Sequence, residues 1–425
     1  MKKLLNVIFF LIINFTLFSE YNFPYKNPNI ATIFGSSTLL TKGIPENIPI
    51  WEYTINLPGS KNIPEEFWYN DGFKFSLVPQ KKKAPLIFLL AGTGAAHNST
   101  RNKLFQRIFY EAGYNVISIS SPMHSNFILN GSKDRMPGII YNDSMDVYNI
   151  MKETYNHVKN KIQATEFYVV GYSLGATEAG MVSYIDENEK YFNFKRIYMV
   201  NPAVDAYKSA VKLDNFLNFP PDERAEKIAS LLEHILNQIV KETNPHNPAI
   251  DMDTIYRLFT QTNMTEKEMQ EVIGTAFRLT AIDLNYITDT LTGRKVYHTA
   301  PATKFSPMFP AFEKVNFASF EDYVDKIAFP YYKNLYNNNL TLEQLLQKSR
   351  LQYINNYLKN SNKIAVVRNA DELILDKDDL KYLKNTFGNR IIIYPYGGHC
   401  GNMFFSPNIK TMLHFLKEGE LKYEE

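Results

Sequence analysis

The chain has 425 residues, 45% of them hydrophobic and 21% charged. That profile is globular and long enough for a full core plus a large insertion. A net charge of +2 leaves no electrostatic case for nucleic acid, and the single cysteine, Cys400, excludes an intramolecular disulfide.

The N-terminus opens with Lys2-Lys3 and an apolar run from Leu4 to Phe18, interrupted by Asn6, Asn14 and Thr16. A basic start followed by an apolar stretch too short to span a bilayer predicts a secretory signal peptide over residues 1–19. The expected location is therefore exported, periplasmic or secreted. An uncleaved anchor, with membrane association through this apolar segment, is the alternative. Loss of the segment removes two lysines and leaves 44 basic against 44 acidic residues. The oligomeric state has no sequence signal.

Residues 20–204 read as the first part of an α/β core. Trp51 to Leu57 and Phe73 to Val78 predict one or two edge strands. Ala84 to Ala91 is a continuous apolar run, as expected of a buried parallel strand, and ends in Gly92-Thr93-Gly94. A helix carrying Leu104, Phe105, Ile108 and Phe109 on one face follows, then a strand over Tyr114 to Ser120. A helix is expected from about Asp143 to Ile162. A strand ends at Val170, and Gly171-Tyr172-Ser173-Leu174-Gly175 turns it into a helix from Leu174 to Ile185. Lys195 to Val200 is the next strand, closed by Asn201-Pro202.

The alternation then stops. Residues 205–360 show helical spacing only: Ile228, Leu231 and Ile235; Met269, Val272, Ile273, Ala276 and Leu279; Val324, Ile327, Ala328, Tyr331 and Leu335. This reads as a helical cap inserted before the last two strands. Residues 361–425 resume the core: a strand from Lys363 to Val367, a helix from Asp376 to Asn385, a strand from Arg390 to Tyr394 and a closing helix from Pro407 to Lys417. The fold class expected is a doubly wound, mostly parallel α/β sheet with a large helical insertion.

Reactive groups in such sheets gather at the carboxyl ends of the strands. Ser173, Asp371 and His399 all stand there, in that order. A serine hydroxyl needs a base to take its proton, histidine titrates in the useful range, and a carboxylate must orient the imidazole. Asp371 is the expected acid, with Glu372 and Asp205 as alternatives; Asp376 is expected to cap the helix that follows it. Cys400 is not expected to be a nucleophile, because neighbours on an extended segment point apart. Asp376-Lys377-Asp378-Asp379 lacks the spacing of a calcium loop, so no metal and no cofactor is expected.

On three features the sequence resembles the α/β-hydrolase superfamily: Gly171-Tyr172-Ser173-Leu174-Gly175, the acid after the penultimate strand, and His399 after the last one. A fourth feature departs from the pattern, since Ala91-Gly92-Thr93-Gly94 has alanine where the family usually has histidine. The resemblance covers about residues 84–201 and 361–420. It implies a serine hydrolase, esterase or lipase-like, with Ser173 as nucleophile and His399 as base. It further implies backbone N–H groups of Thr93 and Leu174 as the oxyanion donors, and a lid within the insertion. Tyr172, His97 and His124 are candidate substrate contacts, and a small-molecule or lipid acyl compound is the implied partner. An acyltransferase, a peptidase, or a binding protein that keeps the fold are the alternatives.

Overall fold

The computed structural model describes residues 21–57, 63–217, 264–298, 318–336 and 338–424, with short pieces within 219–237 and 303–315. The expected signal segment 1–19, and most of the helix expected around Leu231 and Ile235, lie outside the described residues.

Eight strands form one sheet: β1 (Trp51–Ile55), β2 (Phe73–Val78), β3 (Ala84–Leu90), β4 (Asn115–Ile119), β5 (Ala164–Tyr172), β6 (Arg196–Val200), β7 (Ile364–Asn369) and β8 (Ile391–Tyr394). Their order across the sheet is β1-β2-β4-β3-β5-β6-β7-β8. The β1–β2 and β2–β4 pairs are antiparallel, and every later pair is parallel. The order reverses between β3 and β5, so the crossover connections leave both faces covered by helices. This is the doubly wound architecture that the alternation predicts, and it is α/β-hydrolase-like.

The apolar runs are continuous because both faces of each parallel strand are buried. Leu86, Phe88 and Leu90 of β3 enter one core layer with Val169, Met199 and Val366. Ile87 and Leu89 enter the other with Val170, Val200 and Val367. Among the described residues, the helices that matter for the site and these layers are α1 (Pro28–Phe34), α2 (Thr100–Glu111), α3 (Ser125–Asn130), α4 (Ile140–Val158), α5 (Leu174–Glu189), α6 (Ala206–Asp214), α7 (Glu266–Thr292), α8 (Lys377–Phe387) and α9 (Ser406–Glu418). Helices α4, α5 and α8 cover the first layer through Val147, Val182 and Leu383. Helices α2 and α9 cover the second through Phe105, Phe109 and Phe415.

Of the two strands expected near the edge, β1 is an edge strand, while β2 lies between β1 and β4 and is buried along most of its length; β8 forms the opposite edge. Leu279 shares a sequence period with Met269 and Ile273 yet is 60% exposed, as is Leu335 at 56%. Each marks where a real helix rotates its period off the core.

Between β6 and β7 the described residues are helical, apart from an isolated bridge between Asp205 and Arg350. The dominant element is α7, 27 residues long, opened by a capping box in which Thr265 and Glu268 exchange side-chain-to-backbone bonds. It ends at Gly293 in a left-handed conformation. Asp205 caps α6 through the Lys208 N–H and pairs with Arg350 at 2.7 Å. Among the described residues, no helix is long and apolar enough to cross a membrane.

Candidate active site

Ser173 sits between the end of β5 and the first turn of α5, at φ 56° and ψ −123°. Such a conformation costs a non-glycine residue about 1–3 kcal/mol and must be imposed by its surroundings. The imposition is visible in the glycines. A Cβ on Gly171 would lie 2.0 Å from the Gly175 carbonyl oxygen, and one on Gly175 would lie 2.4 Å from that of Leu90. Strand and helix therefore pass so closely that only hydrogen fits at both positions. The Ser173 N–H donates to the Val200 carbonyl at 2.9 Å, which ties the turn to β6. Leu174 is the first residue of α5, so its N–H has no partner within the helix and remains available at the serine.

His399 comes from the loop after β8. Its Nε2 lies 2.8 Å from Ser173 Oγ. Its Nδ1 lies 2.8 Å from Glu372 Oε1. The expected acid is thereby corrected. The Asp371 carboxylate points to the loop backbone and accepts from the N–H groups of Gly397 (3.1 Å) and Gly398 (2.9 Å). The pair Asp371 and Glu372 lies in the turn that follows β7, and that turn aims one carboxylate at the loop backbone and the other at the imidazole. Asp205 is likewise occupied elsewhere, and Asp376 caps α8 as expected.

Glu372 is buried and densely bonded. Oε1 also accepts from the Leu373 N–H at 3.0 Å, and Oε2 accepts from the Asn201 side-chain amide. Burial alone would raise its pKa, but His399, the Asn201 amide and Arg368 outweigh it and hold the carboxyl below its ordinary value. Burial likewise opposes protonation of His399, while the adjacent Cys400 and the Glu372 carboxylate prevail and hold the imidazole well above its usual pKa. Asp371 is pushed up by burial, with the two glycine N–H groups opposing the shift.

The histidine loop is held from two sides, by α1 and by β7. Gly398 has φ +56°, and a Cβ there would meet the Pro28 carbonyl oxygen at 2.1 Å, so α1 presses directly against the loop. The His399 N–H donates to Thr32 Oγ1 of α1 at 2.8 Å, while that hydroxyl donates to the Pro28 carbonyl at 2.7 Å. From β7, the Asn369 side-chain amide donates to the Gly398 carbonyl at 2.7 Å. Cys400 is buried at φ 62°, with its sulfur 3.9 Å from His399 Nε2.

Thr93 and Leu174, the expected oxyanion donors, both border the space beside Ser173. Tyr172 borders it as well, with its ring 5.8 Å from that of Phe105. The two histidines expected near substrate do not border it. His97 is buried against β2 and β4: its Nδ1 lies 2.6 Å from Ser76 Oγ and its N–H donates to Ser120 Oγ. Desolvation lowers its pKa to about 4, so it is neutral at physiological pH. His124 caps α3, with Nδ1 accepting from the Asn126 N–H at 3.2 Å. The His124 ring satisfies a backbone N–H at the start of α3, and the His97 ring pairs with a serine hydroxyl, so both rings are engaged away from the cavity.

The site contains residues that pattern reading did not single out. Asn201 holds the Glu372 carboxylate, Thr32 holds the His399 backbone, and Leu213 and Phe277 line the cavity, whereas Glu372 itself is an alternative acid in the sequence reading. Asn201 carried a weak sequence signal, since it ends a parallel strand. Thr32 carried none. Among the described residues, no group of three or more His, Cys, Asp or Glu side chains is arranged to hold a metal ion.

No protein-family model and no curated protein matches the chain. Solved structures do resemble it at low identity. A hyperthermophilic esterase from Pyrobaculum calidifontis is 14% identical, with 92% of this chain and 93% of that one covered and a TM-score of 0.40. A putative hydrolase from Legionella pneumophila is 10% identical, with coverage of 90% and 93% and a TM-score of 0.44. A peroxisomal α/β-hydrolase from Saccharomyces cerevisiae is 12% identical, with coverage of 88% and 90% and a TM-score of 0.42. The class of this chain rests on its own strand order and serine turn: an α/β-hydrolase-like fold carrying a Ser–His–Glu constellation.

Proposed function

We propose that the chain is a serine hydrolase that cleaves an ester or similar acyl substrate through an acyl-enzyme on Ser173. One observation carries the reading: a hydrogen-bonded line from Ser173 Oγ through His399 to Glu372, with both links at 2.8 Å. His399 takes the serine proton as Oγ attacks the carbonyl carbon. Glu372 fixes the imidazole tautomer and stabilises the imidazolium. The N–H groups of Leu174 and Thr93 receive the developing oxyanion, each worth about 3–4 kcal/mol of barrier. His399 then protonates the leaving group and activates the water that frees the acid.

Two further parts of the reading have separate support. Val272, Ile273 and Phe277 of α7 line the cavity over Ser173, which favours a lid role for the helical segment. Lys2-Lys3 and the apolar run after them favour export.

The test is covalent labelling with a fluorophosphonate. Wild type is expected to label on Ser173 and to hydrolyse 4-nitrophenyl acetate. Ser173→Ala is expected to lose labelling, and His399→Ala to lose most of it with at least a thousandfold fall in turnover. Equal labelling of all three proteins would overturn the assignment.

A further inference from the structure

The space around Ser173 has two unequal lobes. The wide lobe has a volume of about 480 Å³ and is bordered by His399, Thr32, Arg101, Val272 and Ala276. The narrow lobe has about 40 Å³ and is bordered by Met123, Leu174, Ala203, Phe320 and Ile374. Leu213 and Phe277 border both lobes and form the partition, with Ser173 and Thr93 at the opening between them. His399 faces the wide lobe only.

That asymmetry orients the substrate. As the Ser173 Oγ–carbon bond forms, the serine proton moves to His399 Nε2. As the carbon–oxygen bond to the alcohol breaks, the same proton must pass to the leaving oxygen, so the leaving group has to lie on the side that His399 faces. The acyl chain then extends to the opposite side, past Leu174. Water finally adds hydroxide to the acyl carbon and returns a proton to Ser173 through the same imidazole.

Resting on the hydrolase reading, we infer that the narrow lobe holds the acyl chain and the wide lobe the alcohol, so the substrate is an ester of a short aliphatic acid with a bulky alcohol. A water-sized group needs about 10–15 Å³ of such space, so the narrow lobe takes roughly three groups beyond the carbonyl carbon, from acetyl to about butyryl. Its Met123, Phe320 and Ile374 walls disfavour a charged acyl group. The wide lobe is of the size that encloses a drug-sized group, and Arg101 at its border suits an alcohol with polar substituents.

Two substrate series with the full chain test this. The first holds the 4-nitrophenol leaving group constant and runs from acetate through butyrate and hexanoate to octanoate. The second holds acetate constant and compares ethyl, benzyl and 2-(naphthyl)ethyl esters, whose alcohols have similar acidity. We expect kcat/KM to fall at least tenfold from butyrate to octanoate and to rise at least tenfold from ethyl to naphthylethyl. Met123→Ala is expected to raise the hexanoate-to-acetate ratio at least fivefold. Ala276→Trp is expected to lower the naphthylethyl-to-ethyl ratio at least tenfold. Labelling of Ser173 by fluorophosphonate together with equal turnover of octanoate and butyrate, or with variants that leave their own ratios unmoved, overturns the lobe assignment alone. Absence of both labelling and ester hydrolysis overturns the hydrolase reading and this inference with it.

Discussion

The serine turn and the histidine loop meet at 2.8 Å and are held by different means. Ser173 is constrained mainly by its neighbours in sequence: Gly171 and Gly175 let β5 and α5 close on each other within a few residues, and adjoining strands add Leu90 and Val200. His399 depends on partners distant along the chain. Its backbone is tied to Thr32, its imidazole to Glu372, and Gly398 before it to Asn369. Local strain can be written into a short motif, whereas orientation of an imidazole requires several elements to converge. The histidine loop should therefore be the more sensitive of the two to changes far from the serine.

The largest expected effect separates the adjacent acids. Glu372→Gln removes the carboxylate that orients and stabilises the imidazolium, and should lower kcat by roughly 10³–10⁴-fold. Asp371→Asn should cost less than about tenfold, because an amide oxygen can still accept from the Gly397 and Gly398 N–H groups. Steady-state kinetics on the two variants decide the matter; similar losses would return Asp371 to the acid role.

The same substitution sharpens the electrostatic side. His399 must be neutral to take the serine proton, so activity is lost as pH falls through its pKa in the folded protein. Cys400 and Glu372 hold that pKa well above the ordinary imidazole value, so the acid limb should lie on the alkaline side of it. Removing the Glu372 charge should move the limb of residual kcat/KM in Glu372→Gln to lower pH. An unmoved limb, measured between pH 5 and 10, would show that Glu372 does not set it.

A smaller effect is expected at Thr32, which touches no reacting atom. Thr32→Val leaves the buried His399 N–H without an acceptor, at about 1–3 kcal/mol. Turnover should drop about tenfold with little change in KM, and Thr32→Ser should restore it. Failure of serine to rescue would make Thr32 a packing residue only.

The smallest effect belongs to the contact between the helical segment and the core. The Tyr286 hydroxyl of α7 donates to Glu66, and burial raises that carboxyl to about 7. In an unfolded chain it titrates near 4.5. The folded state therefore holds the proton more tightly and loses stability as pH rises from about 4.5 through 7. Melting temperatures at pH 5 and pH 8 should differ less in Glu66→Gln than in wild type.

Most of the architecture was legible because each layer has a period. The apolar runs at Ala84 to Ala91 and at Phe167 to Val170 read as buried strands, and the gap in alternation after Asn201 located the helical region. The site was legible where chemistry is local, at Ser173, and in outline where chain order carries it, at His399. It was not legible at 371–372, where two carboxylates share a loop and the chain's exit angle from β7 selects one of them. His97 and His124 show the converse: proximity in sequence to a strand end suggested pocket residues, whereas unsatisfied backbone and hydroxyl groups nearby had the stronger claim on them.

The amino-acid sequence by itself determined the strand and helix alternation, the serine turn and the order of serine, acid and histidine. These depend on periodicity and on steric room at single glycines, both of which are properties of a few consecutive residues. Only the tertiary structure decided that Glu372 faces the imidazole, that α1 braces the loop through Thr32, and that Leu213 and Phe277 divide the cavity. Those outcomes depend on where separate elements come to rest against one another, and that is set by the packing of the whole sheet and its helices.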